Sequence, residues 1–211
     1  MFKRTPIALA LGLLALGSQA LAADTYFDDF TPGAASVTPL PAGDPQELTA
    51  PFVLSSPNFS QKVIADRVNQ LAQGQSNSGN WDMIDTNRSG PDAGRYLFMP
   101  FETATGGVQR VDLWDTNYNT RTVTIVESGT QGFVAGDASR WTPWGTYLTA
   151  EESWSDPHQP ASGKGRLFEI TDPTTAGQNA ATFVHRKIGP ADIRVSHEGL
   201  VFDKDNNFYF I

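Results

Sequence analysis

The sequence predicts an all-β protein, and three observations support this prediction. Short runs of β-branched and aromatic residues recur along the chain, and Gly, Asn, Asp and Pro separate them. A single stretch, 65–73, has the pattern of a helix. Such spacing is typical of a sandwich, a barrel or a propeller. From residue 80 onward the runs fit a blade length of about 40 to 45 residues, which favours a propeller.

The predicted strands are rich in β-branched or aromatic residues and are bounded by turn residues. They are 62–66, 95–100, 108–113, 122–126, 146–150, 166–170, 182–188, 199–203 and 208–211. The last run is apolar and stops without a turn or a polar tail. Because a closed propeller hides its sheet edges, we expect an incomplete β-propeller, the N-terminal part of a longer chain. A natural closing strand is the alternative.

The N-terminus has the features of a secretory signal peptide. Lys3 and Arg4 precede an apolar run at 7–16, and small residues around Ala22 match a signal-peptidase site. The apolar run is shorter than the roughly 20 residues that a membrane-spanning helix needs. We therefore expect a signal peptide at 1–22, cleaved after Ala22, and a periplasmic or secreted protein with no membrane span after cleavage. A leader rich in Pro and Ala follows at 23–58, and the partial propeller occupies 59–211.

Composition argues against several classes of function. The chain has 15 Lys and Arg against 23 Asp and Glu and no basic stripe, which argues against a nucleic-acid partner. It has no cysteine, so disulfides, thiolate ligands and cysteine nucleophiles are excluded. An acidic chain is compatible with hard cations such as calcium, although solubility alone also explains the charge.

Carboxylates at the ends of predicted strands are the candidate metal ligands. They are Glu102, Glu151, Glu152 and Glu198. Oxygen ligands on a rigid sheet suit hard metal ions, and paired carboxylates also suit acid–base chemistry. His197 adjoins Glu198 and can support a ligand or carry a proton, and Arg194 can bind a phosphate oxygen. Taken singly, each residue also fits an ordinary surface or loop position.

Several motifs in a fixed order resemble the PhoX family of bacterial alkaline phosphatases, long listed as a domain of unknown function. The motifs are Asn80-Trp81-Asp82-Met83-Ile84-Asp85, Gly94-Arg95-Tyr96-Leu97-Phe98, Gly106-Gly107-Val108, Thr142-Pro143-Trp144-Gly145-Thr146, Glu151-Glu152, Gly165-Arg166-Leu167-Phe168-Glu169-Ile170 and His197-Glu198. The resemblance runs from about residue 60 to the end of the sequence.

The resemblance implies an exported β-propeller that hydrolyses small-molecule phosphate monoesters at a cluster of iron and calcium. It implies that Glu102, Glu151, Glu152 and Glu198 are metal ligands, with His197 in support. The chain departs from the family where Ala150 replaces a cysteine that bridges two irons, and where Pro100-Phe101-Glu102 replaces Asn-His-Glu. Calcium is therefore the expected cation, and iron is in doubt. The alternative is a calcium-binding propeller without phosphatase activity, acting as a binding or structural module.

Overall fold

Strands make up most of the regular structure. The structure, a computed structural model, describes residues 60–152 and 163–211. The predicted signal peptide and leader lie outside the described residues. All described elements belong to the unit Val63–Ile211. They are α1 (Arg67–Ala72), a 3-10 turn (Thr130–Gly132), β1 (Asp85–Thr86), β2 (Tyr96–Pro100), β3 (Val108–Asp112), β4 (Thr122–Val126), β5 (Gly136–Trp141), β6 (Tyr147–Glu151), β7 (Leu167–Ile170), β8 (Phe183–Arg186), β9 (Leu200–Phe202) and β10 (Phe208–Phe210).

The strands form three antiparallel sheets in chain order. β1 to β4 form the first sheet and β5 to β8 the second, and within each sheet every strand pairs with its neighbours in the sequence. β9 and β10 form a two-stranded sheet. Tight turns permit this pairing, as at Gly145, whose φ of 88° suits the turn between β5 and β6. The described residues are therefore mostly β-sheet, which confirms the predicted all-β class.

Most predicted strands are present, with ends that differ by one or two residues. Two observed strands were not predicted: β1, which has only two residues, and β5. β5 reads Gly-Asp-Ala-Ser-Arg-Trp and contains no β-branched residue, so local propensity does not reveal it. Its pairing with β6 makes it a strand.

The predicted strand at 62–66 is wrong, whereas the predicted helix at 65–73 is confirmed as α1. Residues 62–66 form no strand. The Asp66 side chain instead accepts a hydrogen bond from the Asn69 backbone N–H at 2.7 Å and so caps α1. Among the described residues no helix has the length and apolar character needed to cross a membrane.

The second sheet is buried on both faces. On one face, Phe168 and Ile170 pack with residues of the first sheet such as Phe98. On the other face, Leu148 packs with Leu200 of β9. The three sheets therefore stack against one another in chain order, each burying an apolar face against the next.

Phe133 lies at the centre of the contact between the first two sheets. Its ring meets Phe168 and Phe183 edge-on, with ring centres 5.2 and 5.3 Å apart. A Cβ atom on Gly106 or Gly136 would lie 2.8 or 2.6 Å from this ring. Glycine at both positions is therefore needed for Phe133 to reach the core.

Buried amide side chains connect the segment around α1 to the first sheet. Gln75 donates to the Thr122 carbonyl and accepts from the Thr124 N–H, both at 2.5 Å. Gln109, fully buried on β3, donates to Gln70 of α1 at 2.5 Å. Because buried amides must be hydrogen-bonded, this network holds α1 against the sheet.

We expect Gly107→Ala to destabilise the first sheet. A Cβ atom there would lie 2.7 Å from the backbone oxygen of Val126 and 3.0 Å from the ring of Phe101. Such overpacking costs about 1 to 3 kcal/mol of the free energy of unfolding. Gly177→Ala is the control, since nothing lies within 4 Å of its added Cβ. Chemical denaturation that shows the same loss for both variants would contradict the packing described.

Candidate functional site

Three carboxylates from separate segments come together. Asp137 lies on β5, Glu152 directly follows β6, and Glu198 precedes β9. Each offers one oxygen, and the three oxygens lie within 4.8 Å of one another. Asp137 and Glu152 are buried, whereas Glu198 is exposed. This spacing allows the three residues to hold one metal ion.

Two further carboxylates, Asp82 and Glu102, adjoin these three. The Glu102 side chain shares hydrogen bonds with Glu152 and with Asp82. The Asp137 side chain shares one with Asp82. Because carboxylates share a hydrogen bond when one of them is protonated, these contacts show that the oxygens lie close together. We call Asp82, Glu102, Asp137, Glu152 and Glu198 the acidic group.

Backbone hydrogen bonds bring the segments of the acidic group together. The Phe101 carbonyl accepts from the Gly136 N–H at 2.9 Å, which places Glu102 beside Asp137. The Glu152 N–H donates to the Ala135 carbonyl at 2.8 Å. The His197 N–H donates to the Glu151 carbonyl at 3.0 Å, which places Glu198 beside Glu152. These backbone contacts therefore position the carboxylates of the acidic group next to one another.

Asn80 orients one side of the acidic group. Its backbone has a positive φ of 48°, a conformation that Asn tolerates better than most residues. Its carbonyl accepts from the Glu102 N–H at 2.9 Å, and its side-chain amide donates to Glu102 Oε2 at 2.8 Å. The Glu102 carboxylate is thereby held in one direction.

Burial and neighbouring carboxylates perturb the acidic group. Burial raises the pKa of Asp137 to about 8, and the hydrogen bond with Asp82 and the charges of Asp82, Glu152 and Glu198 act in the same direction. Burial and the hydrogen bond with Glu152 also raise the pKa of Glu102. At neutral pH the group therefore retains protons that a bound cation would displace.

Glu151, although predicted as a ligand beside Glu152, points elsewhere. Adjacent residues of a strand face opposite sides, so the two carboxylates separate. The fully buried Glu151 carboxylate accepts from Arg166 at 2.6 Å and 3.0 Å and from the N–H groups of Val134 and Arg166. Its oxygens therefore serve an internal ion pair.

The His197 side chain is buried against an aromatic ring, and Arg194 pairs with a carboxylate. The His197 ring is fully buried 5.6 Å from the Phe210 ring, and neither ring nitrogen has a hydrogen-bond partner among the described residues. Burial lowers the pKa of His197 to about 4, so the imidazole is neutral at pH 7. Arg194 donates to Asp192 at 2.6 Å and to the Gly163 carbonyl at 2.7 Å.

Two members of the acidic group, Asp82 and Asp137, were not predicted from the sequence. Asp82 lies within the motif Asn80-Trp81-Asp82, so its position was visible although its role was not. Asp137 lies on β5, the strand that local propensity does not reveal. Its contact with Glu152 depends on the pairing of β5 with β6, and no sequence pattern predicted that pairing.

We expect Glu151→Gln and Glu152→Gln to have opposite effects on stability in metal-free buffer. Glu151→Gln removes the buried half of the ion pair and leaves the partly buried Arg166 without a counter-charge, which costs about 3 kcal/mol. Glu152→Gln removes one charge from the acidic group and should leave stability equal or higher. Thermal and chemical unfolding of the two variants measure this difference. A larger loss for Glu152→Gln would contradict the assignment of roles.

We expect the free energy of unfolding to fall between pH 6.5 and pH 8 in buffer with a chelator. The folded state keeps the proton of Asp137 up to a pKa of about 8, whereas the unfolded chain loses it near 3.8. The folded state therefore binds more protons in this window, and stability decreases as pH rises. His197 acts oppositely, but below 6.5, since its folded pKa is about 4.

Denaturation at several pH values, with Asp137→Asn as the comparison, measures this effect. The variant carries no titrating group at this position, so its stability should change less across the window. Identical slopes for the wild type and the variant would show that Asp137 does not hold a proton.

Comparisons with protein-family models, with curated proteins and with solved structures find no match for this chain. The resemblance to the PhoX phosphatases stays a prediction from the motifs.

Proposed function

We propose that this chain folds as the blades of an exported β-propeller, binds a hard divalent cation, with calcium as the expected ion, and hydrolyses small phosphate monoesters there. The observation that carries the proposal is the convergence of the acidic group from separate segments of the chain. The two successive four-stranded antiparallel sheets are consistent with propeller blades.

The donors of the acidic group fit a hard cation. All five donors are carboxylates, which is the ligand type that calcium prefers. The raised pKa values of Glu102 and Asp137 show a shortage of positive charge at this place. Asp137, Glu152 and Glu198 would hold the ion, with Asp82 and Glu102 beside it.

The exposure of the acidic group suits catalysis. Asp137 and Glu152 form the buried side of the group, whereas Asp82 and Glu198 face solvent. A substrate can therefore approach from the open side. A cation bound there would neutralise phosphate oxygens and the charge that develops in the transition state. The protein contributes a rigid support, since backbone hydrogen bonds and Asn80 hold the carboxylates in place.

One observation favours a second candidate function, a calcium-binding propeller without phosphatase activity. Ala150 stands where the resembling family has a cysteine that bridges two irons. Its fully buried methyl group belongs to the apolar cluster that also contains Ala138 and Leu200. A methyl group cannot bind a metal, so a cysteine-bridged pair of irons does not fit this chain.

We expect metal-dependent hydrolysis of an aryl phosphate by the wild-type protein. Turnover should appear with calcium, or with calcium and iron, and disappear after chelation. Glu152→Gln and Asp137→Asn should lower kcat/KM by at least roughly tenfold to a hundredfold, the range that even outer-shell partners of metal ligands contribute. Exposed Glu127→Gln removes the same charge outside the acidic group and serves as the control.

Metal analysis and calcium titration distinguish the two candidate functions. Two irons per chain together with turnover would support a phosphatase of the resembling type. Calcium binding that Glu152→Gln weakens, without turnover under any metal condition, would favour the non-catalytic propeller. Failure of the wild type to bind any divalent cation would refute both.

A further inference from the structure

A cavity of about 220 Å³ lies toward the opposite end of β5 from the acidic group. Asp137 and Arg140 are three residues apart on this strand, which places their Cα atoms about 10 Å from each other. The side chains that matter for its chemistry are Arg88, Ser89, Arg140, Trp141, Phe202 and Asp203. We call it the arginine cavity.

Arg140 carries an unsatisfied positive charge in this cavity. Its Nε atom is buried and has no hydrogen-bond partner among the described residues. Its guanidinium forms no ion pair with those residues either, whereas Arg88 and Arg166 each pair with a carboxylate. Because a guanidinium cannot lose its proton, a buried donor of this kind is costly unless an acceptor binds to it.

Arg88 is held in position beside Arg140. Its Nε and Nη2 atoms donate to Asp85 Oδ1 at 3.1 and 2.6 Å. Asp85 Oδ2 in turn accepts from the Trp141 backbone N–H at 2.7 Å, so the pair is anchored to β5. This pair does not use Nη1 of Arg88, which remains a donor for a ligand.

Asp203 contributes a carboxylate to the wall but forms no ion pair with Arg140. Its oxygens already accept from the N–H groups of Asp205 and Asn207, from the Asn207 amide and from the Tyr209 hydroxyl. These hydrogen bonds commit the carboxylate oxygens to their own turn, so the donors of Arg140 remain available to a ligand.

Aromatic side chains complete the cavity. The Trp141 indole N–H donates to Ser89 Oγ at 2.9 Å, which orients the ring. Phe202 also lines the cavity, and its ring packs edge-on against Trp144, with ring centres 5.3 Å apart. The cavity thus combines two guanidinium groups with flat apolar surfaces.

We propose that the arginine cavity binds a small phosphate-type oxyanion, either free or as the head group of a compact aromatic molecule. Two guanidinium groups from separate segments suit a tetrahedral group, which can accept hydrogen bonds from both at once. The proposal is independent of the function proposed above, because this site needs no cation and lies away from the acidic group.

Isothermal titration of the full chain in buffer with a chelator tests the proposal, with inorganic phosphate and phenylphosphonate as the probes. We expect saturable binding at one site per chain. Arg140→Gln should weaken it about tenfold or more, the usual effect of losing a charged hydrogen bond. Lys187→Gln, which removes an exposed positive charge outside the cavity, should bind as the wild type does.

Either order of affinity supports the site: tighter binding of phenylphosphonate points to an organic ligand, and tighter or equal binding of phosphate points to the free ion. Absence of saturable binding of both probes to the wild type would overturn the proposal. Equal affinity of Arg140→Gln and the wild type would do the same.

Thermal unfolding supplies a second measurement, because a structural arginine and a ligand-binding arginine behave differently. Without phosphate, Arg140→Gln should be at least as stable as the wild type, since it removes a buried donor without a partner. Phosphate should raise the Tm of the wild type and leave that of the variant unchanged. A marked loss of stability in phosphate-free buffer would assign Arg140 a structural role and overturn the proposal.

Discussion

The burial of β6 on both faces constrains everything around it. All five residues of this strand are buried, because the first sheet covers one face of the second sheet and β9–β10 cover the other. A carboxylate at the end of such a strand is costly to bury unless it is paired or hydrogen-bonded. Glu151 finds Arg166 on one side, and Glu152 joins the acidic group on the other. One strand end thus separates a structural charge pair from a candidate metal site.

The acidic group is assembled by the backbone. The segments that carry Glu102, Asp137, Glu152 and Glu198 are joined by hydrogen bonds that belong to the sheet framework. The like charges are therefore held together by the rest of the fold, and protons relieve their repulsion in metal-free conditions. Repulsion between carboxylates destabilises the folded state locally. Such a cost is expected at a binding site, because the free energy of ligand binding offsets it. Both candidate functions share this property and differ in what happens after a cation binds.

β5 links two regions of opposite charge. Asp137 near its start belongs to the acidic group, and Arg140 near its end belongs to the arginine cavity. Between them, Ala138 packs into the apolar cluster shared with β9–β10. Asp85 of β1 accepts from the Trp141 N–H and so ties the arginine end of β5 to the first sheet. One strand therefore positions residues of both regions.

The sequence by itself determined the class of the fold and most of its strands. β-branched and aromatic runs bounded by turn residues, such as Thr122–Val126, do form strands in most cases, so local composition located most of the sheet. The sequence also indicated that carboxylates at strand ends are candidate metal ligands. Glu102, Glu152 and Glu198, predicted from the sequence, do lie together with Asp137 or Asp82.

The tertiary structure alone decided which carboxylates meet and which do not. Glu151 and Glu152 are adjacent in the sequence, and both were predicted to be metal ligands. Only in the folded protein do their surroundings differ: Glu151 pairs with Arg166, whereas Glu152 joins the acidic group. Asp137 and Arg140 lie on a strand without strand propensity, which exists because β6 pairs with it. The physical reason is that contacts between distant segments depend on sheet pairing and burial, and neither is written in the local sequence.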